Sequence, residues 1–225
     1  LGARYCYEQY AGSDPADLKF TVTWIGFWFN IPGVTLDPLE ESNSFFDNGA
    51  DVVISGIDTT EALAVAAQRA AQGESVWAVP YDFMGACDGG PEVCLGVPYF
   101  HWGPAYVNII QSVKDGTWEQ SWDWLGPDWE DINRQDTTIV GFLPGPALSA
   151  EAQESLDGFI AEMTAYATDP ANEGTFFLWE GPLAYQDGTE IAAEGEKLAA
   201  IAPLGTSPSV WYLEQLLAGM VGSSN

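Results

Sequence analysis

Between Gly49 and Gly116 the chain alternates short apolar runs with helix-length stretches, and few folds accept that alternation. Asp51-Val52-Val53-Ile54-Ser55-Gly56-Ile57 and Ser75-Val76-Trp77-Ala78-Val79 are strand-length runs rich in β-branched and aromatic residues. The segment between them carries Leu63, Ala66, Ala67 and Ala70 on one helical face and stops at Gly73. Asp58 and Glu61 have the spacing of a capping box at its start. A third strand is predicted over Phe20–Ile25, emptying into the aromatic corner Gly26-Phe27-Trp28-Phe29-Asn30, and a helix follows from Asp37-Pro38 to Asn48-Gly49. Strand–helix units at this spacing predict a parallel sheet with right-handed crossovers and helices over both faces. The predicted order through Gly116 is α-β-α-β-α-β-β-α, one α/β lobe.

The stretch from Val97 to Trp118 shows how such a lobe could present a site. Val97-Pro98-Tyr99-Phe100 reads as a strand, His101-Trp102 as an aromatic corner holding the single histidine, and the rest as a helix. Gly103-Pro104 marks the helix start, where the missing proline N–H costs nothing, and Gly116 is placed to close it in a left-handed cap. Strand, corner, helix is how α/β proteins expose side chains at the carboxyl ends of parallel strands, where ligands bind.

Charge and cysteine usage remove several function classes. The 225 residues carry a net charge of −27 with only six Lys and Arg. That excludes nucleic acid, whose phosphates need basic partners, and charge-driven docking on anionic lipid. The acids are scattered, as on a solvated surface, and the composition is compatible with a salty or extracellular habitat. Cys87-Asp-Gly-Gly-Pro-Glu-Val-Cys94 is a loop of turn formers that either closes in a disulfide or carries two thiols. A bridge would contribute roughly 2–3 kcal/mol by loop closure and imply an oxidising compartment. The cysteine spacing fits no zinc pattern, one histidine completes no metal site, and no cofactor is expected. No apolar run has the length of a membrane span.

Beyond Trp118 the pattern changes. Trp118, Trp122, Trp124 and Trp129 alternate with acids without a clean period, which suits packing between lobe and hinge better than a sugar-stacking platform. Thr137–Phe142 reads as a strand. Ser149 precedes an amphipathic helix with Leu156, Phe159, Ile160, Met163 and Tyr166 on one face. Thr175–Trp179 is a further strand, Asp187-Gly188 a hairpin turn, and Ser207-Pro208 the start of a last helix through Trp211, Leu213, Leu216, Leu217 and Met220.

Gly49-Ala50-Asp51-Val52-Val53-Ile54, Asp58-Thr59-Thr60, Trp102-Gly103-Pro104-Ala105-Tyr106 and Gln111-Ser112-Val113-Lys114-Asp115-Gly116-Thr117-Trp118 resemble the basic membrane protein (BMP) family. Trp24-Ile25 before Trp28-Phe29, Gly181-Pro182-Leu183-Ala184-Tyr185-Gln186-Asp187-Gly188, and Trp211-Tyr212 resemble further motifs of that family in the same order. Its members are substrate-binding lipoproteins of ABC importers with a type I periplasmic-binding-protein fold. The resemblance implies a parallel-sheet, three-layer α/β lobe over residues 1–135, with a hinge-crossing strand, helix, hairpin and closing helix over 136–225. The chain opens as if inside a helix, and an N-terminal lobe of about a hundred or more residues is expected outside this sequence.

The resemblance further implies a non-enzymatic, extracytoplasmic protein at the periplasm or cell surface. It would be lipid-anchored through a segment outside this sequence and partnered by an ABC permease and ATPase. The expected ligand is a purine nucleoside or similar small solute. Phe29, helped by Trp28, would stack on the base, and Asp82 would accept hydrogen bonds from ribose hydroxyls. Asp58, His101 and Trp102 would line the same rim. Each has a plainer reading beside this one: Trp28 and Phe29 as core at a strand end, Asp58 as a helix cap, His101 as a hydrogen-bonded structural residue, Trp102 as packing under the helix start. Two other functions compete, a glycoside hydrolase or carbohydrate-binding protein, acidic and tryptophan-rich, and the ligand-sensing domain of a signalling protein. The chain is longer than the family pattern between Phe29 and Gly49, and its Cys87–Cys94 loop is unlike the family's usual segment.

Overall fold

The computed structural model describes residues 1–199, 209–210 and 213–223. Its first elements are α1 (Gly2–Gln9), β1 (Phe20–Val22), α2 (Pro38–Asp47), β2 (Val52–Ile54), α3 (Glu61–Ala70), β3 (Trp77–Val79), β4 (Gly96–Phe100) and α4 (Trp102–Asp115). They continue with β5 (Val140–Pro144), α5 (Ala150–Thr168), β6 (Thr175–Glu180), β7 (Leu183–Ala184), β8 (Glu190–Ala192), β9 (Lys197–Ala199) and β10 (Met220–Gly222). The order through α4 is the one the periodicity predicts. The chain divides into two units, Ile25–Ala150 and Leu1–Trp24 with Glu151–Asn225.

In Ile25–Ala150, β2 and β3 run parallel with Val53 opposite Ala78. Parallel bridges at Ala78–Cys94 and Asp82–Tyr99 tie the line of β3 to that of β4. β5 then lies antiparallel on β4, with Tyr99 opposite Gly141, so the sheet is mixed rather than wholly parallel. Glycine sets this last pairing. A Cβ on Gly141 would stand 2.4 Å from the Tyr99 hydroxyl, and one on Gly96 would stand 2.4 Å from the Phe142 ring. Each glycine makes room for one aromatic ring across the ladder.

Helices α2 and α3 cover one face, burying Phe46, Val53, Leu63, Val65, Ala66, Ala78 and Val97 in one cluster. Asp37 caps α2 by accepting from the Leu39 N–H at 2.9 Å, and Pro38 takes the first helical position. Arg69 joins the two helices: its guanidinium donates to Asn43 Oδ1 at 3.0 Å and to Glu74 at 3.1 Å, pairs with Asp47, and lies over the Phe46 ring. The Cys87–Cys94 disulfide, Cα atoms 5.5 Å apart, closes its loop beneath α3. Gly90 packs closely there, since a Cβ would press on Leu63 and Ala67 at 3.2–3.3 Å.

The opposite face is different. Val52, Ile54 and Phe100 are exposed, and α4 buries none of its residues. The second helical layer expected on this sheet is therefore not seen within the unit. Gly116 closes α4 at φ 71°, as its position predicts. The helix itself begins earlier than expected, at Trp102, so Pro104 is its third residue. The N–H it lacks is still one with no partner inside the helix.

In the other unit, Phe177 of β6 gathers Tyr5, Phe159 and Tyr166 at centroid distances of 5.4–6.0 Å. Tyr5 donates to Glu162 at 2.7 Å. β7 and β8 form the predicted hairpin, with Gly188 at φ 86° and Tyr185 N–H donating to Thr189 at 2.9 Å. The predicted closing helix is corrected. Ser207, Pro208, Trp211 and Tyr212 lie outside the described residues, but Leu213–Gly219 is not helical and Met220–Gly222 is a strand parallel to β1. Gly219 at φ 88° breaks any helix there, and Gln186 donates to the Met220 carbonyl at 2.9 Å. The helical spacing of Leu213, Leu216, Leu217 and Met220 loses to these constraints.

Candidate functional site

The three parallel strands β2, β3 and β4 end on one edge, and the chain leaves them through Ser55–Asp58, Pro80–Asp82 and His101–Trp102. This edge gathers most of the predicted site residues. The Asp58 N–H donates to the Trp28 carbonyl at 2.7 Å, which fixes the Gly26–Phe29 corner beside the end of β2. Trp28 is 61% exposed and Phe29 47%. The Phe29 ring meets Phe27 edge-on at 5.0 Å.

The capping-box reading of Asp58 is corrected. The residue before α3 is Thr60, and no side chain caps the helix there. The Asp58 N–H, which Glu61 would have to reach in such a box, is taken by Trp28, and among the described residues Glu61 Oε2 is buried without a partner. The Asp58 carboxylate instead accepts from the Tyr81 hydroxyl at 2.7 Å. Burial first, and then this bond, push the Tyr81 phenol well above its ordinary range, so it stays a donor.

Asp82 follows with a backbone φ of +91°, a region that residues other than glycine seldom adopt. The ladder holds it there: its N–H donates to Pro98 at 3.0 Å and its carbonyl accepts from Phe100 at 2.9 Å. Such conformations persist only where surrounding structure holds them, and they cluster at functional sites. Asp82 is half-buried.

Aromatic rings continue the edge. Tyr81 meets Phe100 edge-on at 6.2 Å, Phe100 leans on Trp102 at 5.5 Å, and Trp102 stacks on Tyr106 at 6.4 Å. Trp102 is 57% exposed, so it is not buried packing under the helix start. His101 is tied instead to the residues just before the next strand. Its backbone N–H donates to the Ile139 carbonyl at 2.7 Å, and its ring Nδ1 lies 3.2 Å from the Thr138 carbonyl. A carbonyl only accepts, so Nδ1 carries the proton and the ring is tied to the segment entering β5. These bonds engage the His101 backbone and Nδ1, and among the described residues its Nε2 has no hydrogen-bond partner.

Asp58, Asp82, Trp28 and Trp102 thus share one edge, with no Lys or Arg among them. The sequence reading missed Tyr81 and Phe100, although Pro80-Tyr81-Asp82 directly after a strand was a visible signal. Among the described residues no group of three or more His, Cys, Asp or Glu is arranged to hold a metal, and no helix is long and apolar enough to cross a membrane. Trp122 is 69% exposed and meets Trp124 edge-on at 6.5 Å, so the packing expected of this stretch is not seen at Trp122.

No known family profile matches the chain. A purine-binding protein of Brucella abortus is 25% identical over 181 residues, 80% of this chain and 44% of that protein. A Haloferax volcanii protein, named for glucose binding in an ABC transporter, is 30% identical over 110 residues, 49% of this chain and 26% of that protein. The chain spans less than half the length of either relative. Both are named as binding proteins rather than enzymes, and the chain is related to substrate-binding proteins.

Proposed function

We propose that this chain forms one wall of the ligand site in an extracytoplasmic solute-binding protein of the BMP family, serving an ABC importer, and that its ligand is a purine nucleoside. The observation that carries this reading is the convergence of Trp28, Asp58, Asp82 and Trp102 on the carboxyl edge of parallel strands, where α/β proteins receive ligands. Exposed aromatic faces suit a base, for which stacking contributes ~1–3 kcal/mol. Two carboxylates suit ribose hydroxyls as donors. The same carboxylates, which form no ion pair with Lys or Arg among the described residues, disfavour a phosphorylated ligand. Phe29 stacks, Trp28 supports it, and Asp82 receives the sugar. In the complete protein a second lobe closes over this wall by hinge motion. The Cys87–Cys94 bridge suits an oxidising, extracytoplasmic compartment. A sugar is the second reading, favoured by the name of the Haloferax relative.

The complete protein, incubated with nucleosides and with sugars, tests this. Thermal stabilisation by a nucleoside, with the ligand recovered unchanged, is the expected result. Turnover of any of these compounds overturns the binding reading in favour of an enzyme.

A further inference from the structure

Tyr81 stands at the centre of the contacts along this edge. Its hydroxyl donates to Asp58 Oδ1 at 2.7 Å, and its ring is held edge-on by Phe100. Asp58 is also tied through its backbone N–H to Trp28. Tyr81 therefore connects the ends of β2, β3 and β4, and the Asp58 backbone carries the link on to the aromatic corner before α2. Asp58 is exposed, and among the described residues its second carboxylate oxygen has no hydrogen-bond partner. A carboxylate in open water has two equivalent oxygens and free rotation. Here one oxygen accepts from Tyr81, which biases the carboxylate toward one orientation and leaves the other oxygen to accept elsewhere.

We propose, building on the solute-binding reading above, that Tyr81 is a positioning residue that sets ligand specificity: it holds Asp58 so that the free oxygen receives a hydroxyl of a sugar ring, free or in a nucleoside. Tyr81 does not itself touch the ligand. A phenol is already protonated near neutral pH, and burial and the bond to Asp58 push the Tyr81 titration further up, so the donor persists across ordinary pH. The pairing selects hydroxyl-bearing rings over their deoxy counterparts, because only the former bring a donor to the free Asp58 oxygen.

Calorimetry on the complete protein with adenosine and D-glucose, each beside its monodeoxy analogues, tests the proposal and separates the two sources of the ring. The wild type is expected to prefer one hydroxylated probe over at least one deoxy analogue. Tyr81→Phe keeps the ring packing and removes the hydroxyl. It should weaken the preferred probe roughly tenfold and leave the deoxy analogue nearly unchanged, so the discrimination collapses. Tyr81→Phe in an Asp58→Ala background should then add nothing. A Tyr81 that merely staples loops would lower Tm and weaken all probes equally, and that result overturns the proposal, as does unchanged discrimination. A wild type that binds none of the probes sinks the underlying solute reading for these ligands instead, and the Tyr81 proposal with it. Should Tyr81→Phe fail to fold, Asp58→Asn, which keeps an acceptor for Tyr81 and removes the charge, decides the matter. Loss of discrimination supports the proposal, and retained discrimination ends it.

Discussion

The covered face of the sheet in Ile25–Ala150 and the carboxyl edge of the same strands put their residues to opposite use. Beneath α2 and α3, Leu63 is 2% exposed and Ala66 0%, and Arg69 meets acceptors from Asn43, Asp47 and Glu74 at once. At the edge, Trp28 and Trp102 are more than half exposed, and Asp58 has one oxygen engaged and one in reserve. Saturated groups hold the fold, and groups with capacity left over are positioned to receive something else. The two regions should therefore respond independently to substitution.

Leu63→Ala is the largest test of that independence. It removes a fully buried side chain and should cost about 2–5 kcal/mol in denaturant unfolding, with ligand affinity in the surviving folded protein unchanged. A parallel fall in affinity would show that core and edge are coupled. Phe29→Ala reverses the pattern: binding should weaken about tenfold or more, while the unfolding midpoint stays near wild type. An unchanged dissociation constant by calorimetry removes the stacking role.

Asp82→Gly should separate the two properties most sharply. It relieves a positive φ in a clamped strand end and should raise stability by up to about 1 kcal/mol, even as it removes a carboxylate and weakens binding. Loss of stability would mean that the carboxylate, and not the backbone, holds this turn. The smallest effect belongs to the other unit. The hydrogen bond to Glu162, and then burial, push the Tyr5 phenol up to about 12. A group raised in the folded state stabilises fully below its unfolded value of about 10 and loses that contribution as pH rises through the folded value. Thermal midpoints should therefore fall more steeply between about pH 10 and 12 in wild type than in Tyr5→Phe, with no change in ligand binding at neutral pH.

Much of the element order was legible because it depends on local periodicity. The runs at Val52–Ile54 and Trp77–Val79, the α3 face at Leu63 and Ala66, and the Asp187-Gly188 turn all carry their own signal. Partners carry none. Nothing near Asp58 announces that a phenol 23 positions away will take its carboxylate, so a correct capping spacing gave the wrong role. The same holds for β5, whose place beside β4 depends on Gly141 fitting against Tyr99, and for Met220–Gly222, where pairing with β1 replaces the helix suggested by leucine spacing. The edge itself could be anticipated, since it follows from where parallel strands end, but its wiring could not.

The disulfide beneath α3 gives the chain a second covalent route around one loop. Asp88, Gly89, Pro91 and Glu92 stand exposed between Cys87 and Cys94, while both cysteines are buried. A protease that nicks this loop leaves both pieces fastened at the cysteines. The cut chain should migrate as an intact protein until a reductant is added, and then separate into two fragments. A single non-reducing gel beside a reducing one thus reports whether the loop is accessible and its bridge closed.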